Sequence, residues 1–283
     1  MATETTSTSS KAWSPDVTAF AASEVIGDAL VLQASTVAGR IEGDEPVLRV
    51  AYVDDDAAEF VAEGVEIPEA DPVLSEVTVA TGKVAQLVRV SAEQYAQNGA
   101  AAMLSESVRR AVIKRADTAF LNQAAPLAPA MTPAAGLLNI EDIIDGGAVA
   151  ADLDGLIDLA AQIGANGGTP SHIILSPTAW ASLRKFKTGT GSAQNLLGAG
   201  TTDATMSLLG LPVLVTPAMT GDNGLILDRS AVVSAVGDVK VATSSEAYFS
   251  SDSVGVRATF RFGQNVVHPD RVGVFTVTAP AAG

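Results

Sequence analysis

Two histidines, His172 and His268, and no cysteine are all that this 283-residue chain offers for transition-metal or thiol chemistry. A zinc site or a thiolate nucleophile needs Cys and His at short, face-sharing spacings, and no His-x-x-x-His or Cys/His set exists here. His172 opens the apolar run His172-Ile173-Ile174-Leu175, where a packed or strand-edge imidazole is expected, and His268 precedes Pro269 near a chain turn, a surface or interface position. The members of a Ser–His–carboxylate triad need not be neighbours in sequence. A hydrolase using a serine with one of these histidines therefore stays open as a reading, without the Gly-x-Ser-x-Gly elbow that would mark it. Lys187-Thr188-Gly189-Thr190-Gly191-Ser192 has the composition of a phosphate loop but not its order. Asp54-Asp55-Asp56 lacks the spacing of a calcium-binding loop. The residues predict no catalytic group, no metal site and no cofactor; the chain does not read as an enzyme.

What remains is charge, which docks surfaces more readily than it catalyses. Seventeen basic residues stand against thirty-two acidic ones, a net charge of −15, and the pI is near 4.4. Phosphate backbones are gripped by clustered Lys and Arg, so a nucleic-acid reader is a poor fit. Hydrophobic residues make up 47% and charged ones 17%, with a mean hydropathy of +0.29. No stretch approaches the roughly 20 apolar residues of a membrane span, so no membrane partner is expected. The apolar surplus instead hints at surface buried between subunits. The charges are also segregated. Between Glu42 and Glu76 lie twelve carboxylates, among them Asp54, Asp55, Asp56, Glu59 and Glu63, and a single basic residue, Arg49. Arg109, Arg110, Lys114 and Arg115 form the densest basic cluster. Two readings stay open for each run, a solvated face or a docking surface.

Several elements must position these groups. Met1 to Ser10 is Thr- and Ser-rich and is expected to be a mobile arm without a signal peptide, and Thr18 to Ser35 reads as a short helix. Val47 to Val53 and Ser75 to Thr81 read as extended arms around an acidic tip, a long β-hairpin that needs something to lie on. Lys83 to Val90 reads as a strand, and Ser91-Ala92-Glu93-Gln94 has capping-box spacing. A long helix follows to about Asn122, with a break at Asn98-Gly99 and with Leu104, Val108, Ala111, Val112, Ala119 and Phe120 on its buried side. Ile140 to Ile163 reads as helical, His172 to Leu175 as a buried strand, and Ser176-Pro177 as the start of a helix to Lys185. Strands dominate the remainder; in Val256 to Phe262 apolar residues alternate with Arg257, Thr259 and Arg261, giving one apolar and one basic face. The fold class is α+β.

Six local patterns resemble, in the right order, the major capsid proteins of tailed bacteriophages, the Hong Kong 97-like fold. Lys83-Val84-Ala85-Gln86-Leu87-Val88-Arg89-Val90-Ser91-Ala92-Glu93 resembles the family's strand into a Ser-capped spine helix, and Arg115 to Asn122 the end of that helix. Ala135-Gly136-Leu137-Leu138 resembles its Gly-Leu-Leu link, and Leu175-Ser176-Pro177-Thr178-Ala179-Trp180 a strand-to-helix step of the axial domain. Leu208-Leu209-Gly210-Leu211-Pro212-Val213 resembles its Leu-Leu-Gly-x-Pro-Val step, and Arg257 to Pro269 its terminal strands. The resemblance implies an N-terminal arm over 1–41, an extended β-hairpin loop over 42–82, a peripheral domain with the long spine helix over 83–140, an axial domain over 141–235, and the rest of the peripheral domain with the C-terminal strands over 236–283.

It also implies function. Such a chain associates with itself into hexamers and pentamers of an icosahedral virion shell around double-stranded DNA, which an acidic wall encloses without gripping. It is made in the host cytoplasm, with a portal and a decoration protein among the further partners. Only about forty residues precede the loop, so a separate scaffolding protein is expected. Some members cross-link through a loop lysine, but no lysine lies between Arg40 and Gly82. A non-covalent shell is therefore expected, with Asp54, Asp55, Asp56, Glu59 and Glu63 of one copy facing Arg109, Arg110, Lys114 and Arg115 of the next. An encapsulin-type compartment, holding cargo enzymes in place of DNA, is the alternative on the same fold.

Overall fold

The computed structural model describes residues 17–43, 45–54, 60–61, 73–97, 100–189, 192, 194–198 and 206–279. In chain order these form β1 (Val17–Phe20), the single-turn helices α1 (Ala22–Val25) and α2 (Leu30–Gln33), β2 (Thr36–Arg40), β3 (Val47–Asp54), β4 (Val73–Ala80) and β5 (Gly82–Ser91). Helices α3 (Ala92–Tyr95) and α4 (Ala100–Asn122) follow, then β6 (Ile144–Val149), α5 (Asp154–Ala165), β7 (His172–Leu175) and α6 (Pro177–Arg184). The last part holds β8 (Ser207–Leu208), β9 (Leu211–Val215), β10 (Asn223–Leu227), β11 (Val232–Val236), β12 (Val239–Tyr248), β13 (Ser253–Val266) and β14 (Val272–Val277).

Two six-stranded sheets organise the chain. One runs β1-β12-β13-β11-β2, with β5 also paired to β13; the other runs β6-β14-β10-β7-β9-β8. Alternation along β13 decides the first core: Val256, Ala258, Phe260 and Phe262 are buried, and the last three pack with Val108, Val112, Ala116 and Phe120 of α4 and with Ile26, Leu30 and Val31 around α1 and α2. The second core gathers Leu156, Leu159 and Ile163 of α5 and Ala179 and Leu183 of α6 against Ile173, Ile226 and Phe275. Both helix starts marked by serine are capped as their sequences demand. Ser91 Oγ accepts the Gln94 amide at 3.2 Å and Ser176 Oγ the Ala179 amide at 3.0 Å.

β3 and β4 form a sheet of their own, antiparallel from Val47↔Ala80 to Asp54↔Val73. The root of this hairpin has a core: Val79 is buried with Ile41, Val233 and Ala235, and Leu48, Val50 and Val77 pack against them. The Tyr52 ring meets His268 edge-on at 5.7 Å.

Two sequence expectations change, and one strand has no mark in the sequence. Thr18 to Ser35 is not one helix but β1 and two single turns, because Val17 to Phe20 pair with β12 and the chain turns at Gly27-Asp28. Ile140 to Ile163 is not helical throughout. Ile144 to Val149 form β6 beside β14, where Gly146 leaves room for Leu159 (a Cβ there would lie 2.7 Å from Leu159 Cδ2) and Gly147 takes a φ of +66°. β12, a ten-residue strand, has no strong apolar alternation of its own and exists by pairing with β13. Met1 to Ser10 and the Asn98-Gly99 break lie outside the described residues.

Candidate inter-subunit surfaces

Helix α4 carries the predicted basic cluster, and its members differ in what they already do. Arg109 is largely spent within the chain. Its Nη2 donates to Glu106 Oε1 at 2.9 Å and its Nη1 to the Val25 carbonyl at 3.4 Å, with Asp28 Oδ2 3.5 Å away. The hydrogen bonds from Arg109 hold the Glu106 carboxyl below its ordinary range, and the guanidinium rises in return. Arg109 thus ties α1 and the following turn to the long helix. Arg110 reaches Glu106 only at 3.6 Å and its side chain is 63% exposed. Arg115 donates to Gln123 Oε1 at 2.9 Å, two turns along the helix. Lys114 is exposed. Arg110, Lys114 and Arg115 therefore present charge outward.

Of the acidic partners, Asp54 closes β3 by pairing with Val73, while its side chain and residues Asp55, Asp56, Glu59 and Glu63 lie outside the described residues. Arg49, the single basic residue of that stretch, is matched by Glu76 at 3.2 Å. Phe60, in the middle of the acidic stretch, is fully exposed.

A second basic surface is assembled by strand register. On the face of the first sheet opposite α4, Lys83 of β5 stands across from Arg261 of β13, Lys240 of β12 across from Thr259, and Arg257 across from Leu87. Arg89 follows on β5, its guanidinium 4.9 Å from the Tyr248 ring. Lys83, Arg89, Lys240 and Arg257 are exposed. Between them the sheet dips into a depression of about 640 Å³ lined by Arg40, Lys83, Lys240, Arg257 and Arg261, with Glu42 and Asp238 as its carboxylates. Arg40 forks onto Asp238 at 2.7 and 2.8 Å, and Arg261 donates to the Thr81 hydroxyl at 3.0 Å. Alternation in the sequence shows Arg257 and Arg261 on one face; that Lys240 joins them depends on the register of β12 on β13, and that Lys83 does depends on pairing across more than a hundred residues.

The histidines sit apart from both surfaces. His172 Nδ1 lies 3.0 Å from Ser171 Oγ, whose oxygen accepts the Arg229 amide. Burial first, then the nearby Arg229 charge, hold this imidazole below its ordinary pKa. No cluster of three or more potential metal ligands occurs among the described residues.

Residues 30–277 match the sequence model of the phage capsid family. The chain belongs to that family. Solved structures agree in fold. A chain of Gordonia phage Cozz superposes with a TM-score of 0.68 at 15% identity, covering 89% of this chain and 87% of its own. One of Mycobacterium phage Adephagia gives 0.68 at 19%, covering 88% and 90%. The capsid of an empty GTA particle gives 0.69 at 17%, covering 89% and 90%. Among curated proteins no relative matches. The mixed helix-and-sheet architecture is that of phage capsid structures, and the family is structural in character. A capsid shell component is what this fold and family support. No helix among the described residues is long and apolar enough to cross a membrane.

Proposed function

We propose that this phage capsid chain is the major subunit of an icosahedral shell, arranged in hexamers and pentamers around double-stranded DNA and held without covalent cross-links. The observation that carries the reading is the hairpin β3–β4. Among the described residues it is a two-stranded sheet with its core at the root and an exposed Phe60 beyond its paired strands. An isolated two-stranded ribbon is marginal in water, and a neighbouring copy supplies the surface it lacks. The arm (1–41), loop (42–82), peripheral (83–140 and 236–283) and axial (141–235) divisions belong to the same proposal. Scaffolding, portal and decoration proteins are its further partners.

Asp54, Asp55, Asp56, Glu59 and Glu63 of one copy then meet cations of the next; on α4 these are Arg110, Lys114 and Arg115, with Arg109 engaged at home. Each exposed pair contributes about 0–1 kcal/mol, but complementarity sets register and the contact repeats at every subunit. Electron microscopy with light scattering on the purified full chain tests the shell. Closed particles or five- and six-fold rings are expected, and a uniform monomer at high concentration with scaffold supplied would refute it. Retained nucleic acid, as against packaged protein, separates a virion shell from a cargo compartment. R110E/K114E is expected to lower particle yield several-fold; unchanged yield and salt dependence would remove the helix from the contact.

A further inference from the structure

We infer that the groove between α4 and the 216–218 segment binds a primary ammonium on an aliphatic stem with a carboxylate at its far end. This is the chemistry of an ω-amino acid, or of a lysine side chain beside an acidic residue. The site does not depend on the shell reading. It shares Arg110 and Lys114 with the contact proposed above, so it belongs to the chain before assembly.

The groove has a volume of about 370 Å³ and combines three kinds of surface. Asp117 is its buried charge, only 9% exposed. Oδ1 of that carboxyl accepts the Leu30 amide at 2.8 Å, while Oδ2 has no hydrogen-bond partner among the described residues. Nor is Oδ2 sealed off: the one unpartnered side-chain oxygen shut away from solvent among these residues is Gln86 Oε1. Oδ2 therefore opens on the groove. Ile113, Pro217 and Ala218 supply apolar walls, and the exposed Arg110 and Lys114 supply positive charge at the mouth.

A carboxylate withdrawn from water needs a compensating cation or a full set of donors, and one amide leaves most of its acceptor capacity unused. The chain brings it no cation. Arg110 turns to Glu106 at 3.6 Å, and Lys114 makes no ion pair among the described residues. The α2 turn on the other side, Leu30 to Gln33, carries no charge, and neither does the 216–218 segment. A bare amine would satisfy Asp117 but meet two cations at the mouth. A bare fatty acid would satisfy the mouth but leave the buried carboxylate unpaired. A molecule charged at both ends answers both, with its stem against the apolar walls. Lys114 and Arg110 precede Asp117 by about one and two helical turns, about 5 and 10 Å along the axis, a span that a few methylenes bridge.

Calorimetric titration of the unassembled full-length chain near pH 7.5 tests the site. The probes are ε-aminocaproate, hexylamine, hexanoate and a short blocked peptide whose one lysine stands between glutamates. Wild type is compared with D117N and R110A/K114A, each checked by circular dichroism. We expect ε-aminocaproate to bind at least tenfold tighter than either hexylamine or hexanoate. D117N should weaken it at least tenfold, and R110A/K114A should bring it down to the affinity of hexylamine. Its affinity for wild type should also fall as pH drops through about 6, where Asp117 takes up a proton, while D117N shows no such dependence. A peptide that binds tighter than the free amino acid assigns the site to a lysine of a partner chain, and the reverse order assigns it to a small molecule; both uphold the site. Failure of both to bind would overturn the inference. So would equal affinity in wild type and D117N, or hexanoate binding as tightly as ε-aminocaproate. Should D117N not fold, the R110A/K114A comparison and the pH profile of wild type decide, and absence of both effects refutes the site.

Discussion

Replacing Gly263 by alanine is expected to destabilise the chain by about 3 kcal/mol and to loosen the hairpin root. A Cβ at this position of β13 would lie 2.2 Å from the Ala80 carbonyl oxygen, 2.9 Å from its carbon and 3.1 Å from Thr81 Cα. All three are backbone atoms at the junction of β4 and β5, so no rotamer change relieves the clash. Overpacking a close contact costs typically 1–3 kcal/mol and more where backbone must move. Here the movement would also disturb the neighbouring bonds that fasten β4 and β5 to the sheet, Asn265 Nδ2 to the Thr78 carbonyl at 2.8 Å and Arg261 to the Thr81 hydroxyl at 3.0 Å. For a chain of this size that loss lowers the Tm by roughly 5–10 °C. Hydrogen exchange would rise first across β3, β4 and the start of β5. Gly164 in α5 is the control: nothing lies within 4 Å of its added Cβ, and alanine there should be neutral or stabilising by up to about 1 kcal/mol. A Gly263→Ala protein with unchanged Tm and unchanged exchange at Val77 to Ala80 would refute the close-approach account.

Where a local signal existed, the sequence could be read directly. The hairpin follows from alternation on both arms, the end of α4 at Asn122 from apolar spacing, and both serine caps from side chains that satisfy amides three residues on. Reading failed where pairing decides the outcome. Ala-rich residues 18–35 have helical composition, but an edge position beside β12 draws Val17 to Phe20 into a strand. Gly146-Gly147 is poor helix material but no strand signal either, and the helical stripe of Leu153 to Ile163 follows directly; only pairing with β14 makes Ile144 to Val149 a strand.

The candidate surfaces divide in the same way. The basic cluster of α4 is visible in sequence because four residues share one helix. That Arg109 is consumed is not, since Asp28 and the Val25 carbonyl come from a segment some eighty residues earlier. The sheet face is half visible, through Arg257 and Arg261. Lys83 and Lys240 are isolated cations until antiparallel register sets them beside those arginines.

Asp117 supplies the chain's main expected pH dependence. Its carboxyl lies on the buried side of α4, 9% exposed, and Oδ1 accepts the Leu30 amide at 2.8 Å, joining the start of α2 to the long helix. Burial pushes its pKa up to about 6, and the Leu30 bond only partly opposes this. No charged group contributes, although Arg110 and Lys114 line the same groove. Because the folded pKa lies above the unfolded value of 3.8, the stabilising contribution is fully present below about pH 4 and is lost as pH rises through 6. The loss by pH 7.5 is on the order of 3 kcal/mol. Asp117→Asn keeps an acceptor for Leu30 and removes the charge, so its stability relative to wild type should climb by up to that amount between pH 4 and 7.5. Asp117→Ala leaves the Leu30 amide unpaired and should cost about 1–3 kcal/mol at pH 4, with the deficit shrinking toward pH 7.5 as the buried charge it removes becomes the larger cost. Urea denaturation across that range, with hydrogen exchange at Leu30, reads both variants against wild type. Parallel stability curves for Asp117→Asn and wild type would show that this carboxyl does not titrate within the fold.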